Sequence, residues 1–279
     1  MVRHVLLVET GPFGGCVPRE QLRRLGHRVR LVREKDQVAA RAERWRPGAV
    51  VLGGARLGLE LRFDPRTADL PFVQVGEPAD PAALRVEPDA ELRGPATTAN
   101  LFAAVQRALA AKADRRRERI RAELNVWVPS GVEELAALCD RLPGWLAGHG
   151  LTSAQVRQTN LAVREVVANA IEWGHGYQRA RLVRVECKAD DEKVTILVRD
   201  TGPGFDRLNL PHAARPGDPL THLEVRAARN LREGGFGLLM ASGLVDHLCF
   251  SETGNEGLLV KYLPSGAFEA AGPLAASAP

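Results

Sequence analysis

Three short motifs in this sequence hold side chains able to do chemistry. Residues 196–206 read ILVRDTGPGFD, an apolar run suited to a pleated, half-buried surface that ends in Asp200 and then Gly202 and Gly204. A carboxylate where a strand leaves the core can meet a ligand, and glycines beside it admit a closer backbone approach than a Cβ allows. The same letters also suit an ordinary turn. Earlier in the chain, Glu165 and Asn169 stand four residues apart in a stretch of helical spacing, one turn above each other. That spacing puts a base and an amide side by side, although an exposed polar helix face shows the same pattern. Residues 234–240, GGFGLLM, carry Gly234, Gly235 and Gly237 straight into an apolar helix. Such a loop lets backbone N–H groups gather around a phosphate.

The elements that position these motifs follow from the apolar periods. Thr152 and Gln155 have capping-box spacing, and a helix is expected from about Ser153 to Trp173, with Val156, Val163, Val166, Val167, Ala170 and Ile171 on its core face. It ends in W-G-H-G. NVWVPS reads as the first strand of the same domain, followed by a helix over 132–146. Before that, HVLLVE, RVRLV, AVVLGG and PFVQVG read as strands, and 18–26, 36–46 and 98–112 as helices, an alternation that implies a parallel sheet covered on both faces. The helical pattern runs from Thr98 to Leu124, and its polar last part reads as a linker. The expected organisation is therefore a first domain over 1–112, a linker helix over 113–124, a second domain over 125–265 and a disordered tail over 266–279.

With 279 residues, 45% hydrophobic and 26% charged, the chain can build two packed cores. The opening MVRHVLLVET has too short an apolar run for a signal peptide, and no stretch approaches membrane-spanning length, so a cytoplasmic protein without membrane contact is expected. Cys16, Cys139, Cys187 and Cys249 lie far apart with no C-x-x-C pair, which argues against a disulfide framework or zinc and reads as buried small apolar residues. The net charge of +4 is almost all arginine excess, and the one basic cluster, RRRERIR at 115–121, reads as a solvated helix face. No direct nucleic-acid partner is expected.

Taken in order, helix E-x-x-x-N, strand-end D-x-G-x-G and loop G-G-x-G resemble the N box and the two glycine boxes of the ATPase fold shared by gyrase, MutL, histidine kinases and anti-sigma-factor serine kinases. The resemblance covers about residues 125–263. It implies an α+β domain with a mixed sheet and helices on one face, and ATP and Mg2+ as cofactors. By the same resemblance Asp200 accepts from the adenine amino group, where guanine has a carbonyl. Gly202 and Gly204 admit base and sugar, Asn169 holds magnesium, and Glu165 orients or deprotonates the attacking group. The first 110 or so residues resemble a response-regulator receiver, an α/β flavodoxin-like domain, with an unrelated small domain of that shape as the alternative. Glu9 and Thr10 stand where receivers keep an acidic pair, Gly53 at the phospho-acceptor, Gly76 at the switch hydroxyl and Gly94 at the lysine. Glycine can be neither nucleophile nor magnesium ligand, so this half reads as a degenerate receiver.

Within the ATPase group, the compact form with short flanks looks most like the anti-sigma-factor serine kinases. A histidine kinase needs a phospho-acceptor hairpin of ~60 residues, and only about forty residues follow Gly237, too few for a gyrase-type transducer. The implied activity is transfer of the ATP gamma-phosphoryl to a serine of a partner regulator, with an anti-sigma antagonist, a sigma factor or another regulator as partner and a homodimer allowed. The alternatives are a nucleotide-dependent binding switch that transfers nothing, and a histidine-kinase remnant acting in trans. Trp173 and Gly174 lengthen the helix end relative to the family, which points His175 toward a structural role. The 27 residues between Asp206 and Gly234 read as a nucleotide lid, with Arg207, Arg215, Arg226, Arg229 and Arg232 as candidate phosphate contacts.

Overall fold

The computed structural model describes residues 4–9, 19–33, 37–53, 55–76, 80, 82–94, 96–204, 224 and 236–264. Five parallel strands make the first sheet: β1 (His4–Glu9), β2 (Arg28–Val32), β3 (Ala49–Gly53), β4 (Phe72–Val75) and β6 (Ala90–Leu92), in the order β2-β1-β3-β4-β6. Strands β3 and β4 are buried at every position, as befits a sheet covered on both faces. Helices α1 (Arg19–Arg24), α2 (Val38–Trp45), α3 (Ala55–Phe63) and α4 (Thr98–Arg117) connect and cover them. This is the doubly wound order of a receiver.

Where the sequence suggested no element, the segment after β4 forms a two-residue strand, β5 (Arg85–Val86), and it leaves the first sheet. It pairs antiparallel with β7 (Ala122–Pro129), through Arg85 with Trp127 and Val86 with Val126. The second sheet runs β10-β11-β9-β8-β7-β5, and every described pairing in it is antiparallel. Strands β8 (Leu182–Ala189), β9 (Lys193–Arg199), β10 (His247–Phe250) and β11 (Glu256–Tyr262) complete it. Alternate residues of β7, β8 and β9 are buried, Leu124, Val126, Val185, Cys187, Ile196 and Val198 among them, beneath helices α5 (Val132–Gly148), α6 (Ser153–Asn169) and α7 (Gly237–Leu244). The opposite face carries cross-strand ion pairs, such as Arg199 with Glu186 and Lys188 with Glu123.

Two expectations change. The linker helix ends at Arg117 rather than continuing to Leu124, because Arg119 turns left-handed (φ 61°) and Ala122, Leu124, Val126 and Val128 are buried alternately. Period two, not the polar composition, decides that stretch. The cysteines also divide: Cys187 is buried, Cys139 half-buried and Cys249 exposed on an edge strand, while Cys16 lies outside the described residues, as does the tail. No described helix is long and apolar enough to cross a membrane.

One apolar core joins both halves, with Leu59, Phe63, Phe72 and Val86 in the same cluster as Leu138, Leu142, Trp145 and Leu146. Beside it, the Asp89 carboxylate (side chain 2% exposed) accepts from Arg62 of α3, from Arg115 of α4 at 2.5 Å and from the Phe72 N–H at 2.7 Å. Arg115 in turn lies 3.6 Å from Glu123 of β7.

Candidate functional site

Asp200 stands where β9 leaves the sheet. Its N–H donates to the Asn255 carbonyl at 3.0 Å, and its Oδ1 accepts the Gly202 N–H at 2.6 Å. Burial raises its carboxyl above the ordinary aspartate range, opposed by the Gly202 N–H and the nearby His175 and Arg181. The backbone crowds in from the opposite side: a Cβ on Gly174 would lie 2.5 Å from Asp200 Oδ1, and one on Gly202 would collide with the Gly174 carbonyl. Gly204 has φ 72° and packs on the Thr253 carbonyl, leaving no room for a side chain.

Helix α6 begins with the full capping box, Thr152 and Gln155 each accepting from the other's backbone. Glu165 and Asn169 follow near its C-terminal end, both half-buried. The Glu165 carboxylate lies against the first residue of α7, since a Cβ on Gly237 would come within 2.5 Å of its Oε2. The amide Nδ2 of Asn169 is buried and has no hydrogen-bond partner among the described residues. The structure thus joins Glu165 with Gly237, and Asp200 with Gly202, while Gly204 rests on the 253–255 turn that also holds the Asp200 backbone. Gly234 and Gly235 lie outside the described residues, as do the expected lid and its five arginines.

Helix α6 does not run on to Trp173 as an α-helix. Ala170–Gly174 form a π turn, in which the His175 N–H reaches back to the Ala170 carbonyl at 3.0 Å. The wider turn absorbs the extra length of W-G-H-G and lays Gly174 on Asp200. His175 is 1% exposed, and its Nε2 accepts the Thr201 N–H at 3.0 Å. Nδ1 therefore carries the proton and donates to Ser130 Oγ at 2.7 Å, which donates to the Arg181 carbonyl at 3.0 Å. The Arg181 guanidinium closes the ring by donating to the Gly174 carbonyl at 3.1 Å and to the Thr201 carbonyl. Burial and Arg181 hold the imidazole below its usual pKa, opposed by Asp200. Sequence reasoning missed Ser130 and Arg181, whose partners lie 45 and 20 residues away. The serine of V-P-S just before α5 was the one signal available.

This donor set fits an adenine nucleotide carrying magnesium. Asp200 has a second carboxylate oxygen beyond the one bonded to Gly202 that could accept from an exocyclic amine, the Asn169 amide, whose Nδ2 has no partner among the described residues, could turn its oxygen to a cation, and the glycines leave the backbone uncovered by side chains. In the first half, Gly53 ends β3 opposite Glu9 of β1, and Gly76 follows β4, so neither position offers a carboxylate or hydroxyl.

The constellation stands at the end of an antiparallel sheet covered by helices on one face. Residues 128–261 match the model of the histidine kinase-like ATPase domain. The chain is similar to the serine-protein kinase RsbW of Staphylococcus aureus, 26% identical over 140 residues, which are 49% of this chain and 84% of the relative. Among solved structures, a signal receiver domain of a diguanylate cyclase from Desulfovibrio desulfuricans covers 41% of this chain and 99% of its own, at 22% identity and a TM-score of 0.32. The receiver domain of a sensor histidine kinase from Pseudomonas aeruginosa covers 39% and 99%, at 23% identity and a TM-score of 0.31.

Proposed function

We propose that this chain is an ATP-binding regulatory protein of bacterial signal transduction that phosphorylates a serine of a partner regulator, an anti-sigma antagonist or a protein of that kind. The observation that carries the reading is the buried Nδ2 of Asn169, which has no hydrogen-bond partner among the described residues, one turn from Glu165 on a helix whose continuation touches Asp200. Bound magnesium would neutralise the phosphate oxygens and so ease in-line transfer. Asp200 would select adenine by accepting its amino proton. Asn169 would hold the metal, and the loop before α7 would meet the phosphates. Glu165 would take the proton of the incoming serine hydroxyl as its oxygen bonds to the gamma phosphorus and the bridging oxygen leaves with ADP. The N-terminal half would act as a docking surface.

A second reading, a nucleotide-dependent switch that binds a sigma factor or other regulator without transfer, gains support from the Glu165 carboxylate. It lies at the N-terminus of α7, where a negative charge is favourable without any catalytic duty. Variants of the full chain separate the two. Asp200→Asn is expected to weaken ATP binding about tenfold to a hundredfold in calorimetry, because the amide leaves a buried polar group unpaired. Asn169→Ala is expected to abolish the magnesium dependence of binding. Glu165→Gln is expected to bind ATP normally but to lower phosphorylation of a serine-bearing partner by about 10²–10⁴. No ATP binding by wild type, or equal affinity for GTP, would overturn both readings. ATP binding with no partner phosphorylated, and Glu165→Gln indistinguishable from wild type, would leave the switch.

A further inference from the structure

The basic run 115–121 does not simply face solvent. Where α4 ends and the chain turns into β7, a cleft of about 500 Å³ opens at the seam of the two halves, lined by five cationic side chains and only two carboxylates, Asp69 and Asp191. Lys112 is paired with Asp69 at 2.8 Å, and Arg121 with Asp191 at 3.2 Å. Arg116 and Arg119 make no ion pair with a described residue. Arg115 is the informative member. Its side chain is 11% exposed and its Nη1 bonds Asp89, yet its Nη2 is buried with no hydrogen-bond partner among the described residues. A buried guanidinium donor without an acceptor is costly, and Arg115 lines the cleft beside Arg116 and Arg119, which make no ion pair with a described residue.

We propose that this cleft binds a phosphate-bearing small anion of the size of a di- or triphosphate. Planar guanidinium forks match phosphate oxygens in pairs, and the volume lies within the range of small-ligand sites. The ligand would satisfy Arg115 Nη2 and draw Arg116 and Arg119 together. Because Lys112 belongs to α4 and Arg121 directly precedes β7 of the second sheet, it would also bridge the halves. The site is separate from Asn169 and Asp200 and does not depend on the function proposed for them.

Titration of the full chain with pyrophosphate, and separately with uridine diphosphate, tests this. Pyrophosphate is expected to bind wild type, with affinity at least tenfold lower for Arg116→Ser/Arg119→Ser, two exposed positions whose exchange spares the fold. Arg115→Lys keeps a cation for Asp89 but removes Nη2, and is expected to weaken binding as well. Asn169→Ala is expected to leave pyrophosphate affinity unchanged. Tighter binding of uridine diphosphate would identify a nucleotide's phosphate tail as the ligand, and weaker binding a free oligophosphate. No pyrophosphate binding, equal affinity for the double variant, or loss with Asn169→Ala would overturn the proposal.

Discussion

Two buried histidines carry lowered pKa values, so protonating either one costs stability. His175 accepts the Thr201 N–H at Nε2, so a proton there would set two donors against each other. His149, packed edge-on against Trp145, is pushed down to about 4 by burial and then by Arg121, against Asp69. A histidine whose folded pKa lies below its unfolded value of roughly 6.5 contributes stability that is full above that pH and is lost as pH falls toward the folded value. For His149 the loss between pH 6.5 and about 4 amounts to roughly 3 kcal/mol. Urea unfolding at pH 7, 5.5 and 4.5 is expected to show wild type losing more stability than His149→Phe, which keeps the ring contact without the titration. Equal losses would refute the assignment. The places of Asp200 at a strand end and of Glu165 and Asn169 on one helix were legible in the sequence because types and local spacing carry that signal. The Ser130–His175–Arg181 ring was not, because its partners meet only through the pairing of distant segments.

At the scale of elements, the capping box and the alternating strands were legible, since both are local patterns. The two-residue β5 was not, because so short a strand has no period, and α4 was extended too far because charge was weighed above alternation. The π turn is intermediate: W-G-H-G showed that something departs from the family at the helix end, while its widened geometry comes from packing on Asp200. The turn at Gly204 gives a sharp test. Gly26 (φ 78°) also lies in the left-handed region but has nothing within 4 Å of where a Cβ would stand. Gly26→Ala is expected to cost only the conformational penalty of about 1–2 kcal/mol. Gly204→Ala adds a collision with the Thr253 carbonyl, so its melting temperature is expected to fall clearly further, with ATP affinity falling alongside. Similar shifts for the two would show that the 253–255 turn yields freely.

Across the whole molecule, the halves are welded rather than strung together. The shared core and the Arg62–Asp89–Arg115–Glu123 chain of charges cross the seam. Arg62 is buried and pulled below its ordinary pKa by burial, opposed by Asp89. Removing Asp89 strands that charge, and breaking a buried pair from one side costs about 3–5 kcal/mol. Calorimetry is expected to show one cooperative transition for wild type and a strongly lowered one for Asp89→Ala. Two independent transitions in wild type would contradict the welded seam. That the chain builds two sheets, the first of them parallel, was legible from its two rhythms. Their union was not, because it depends on which apolar residues of α3 and α5 meet.

Unpaired sheet edges invite other chains to add strands, and proteins guard them. The second sheet ends at β10 on one side and at β5 on the other. A fragment beginning near residue 120 would lose β5 and bare the middle of β7, with Val126 and Val128 on the same strand and the α5 face beside it uncovered. The receiver-like half therefore covers one edge of its neighbour's sheet, and an isolated ATPase-like half is expected to stack edge to edge into aggregates.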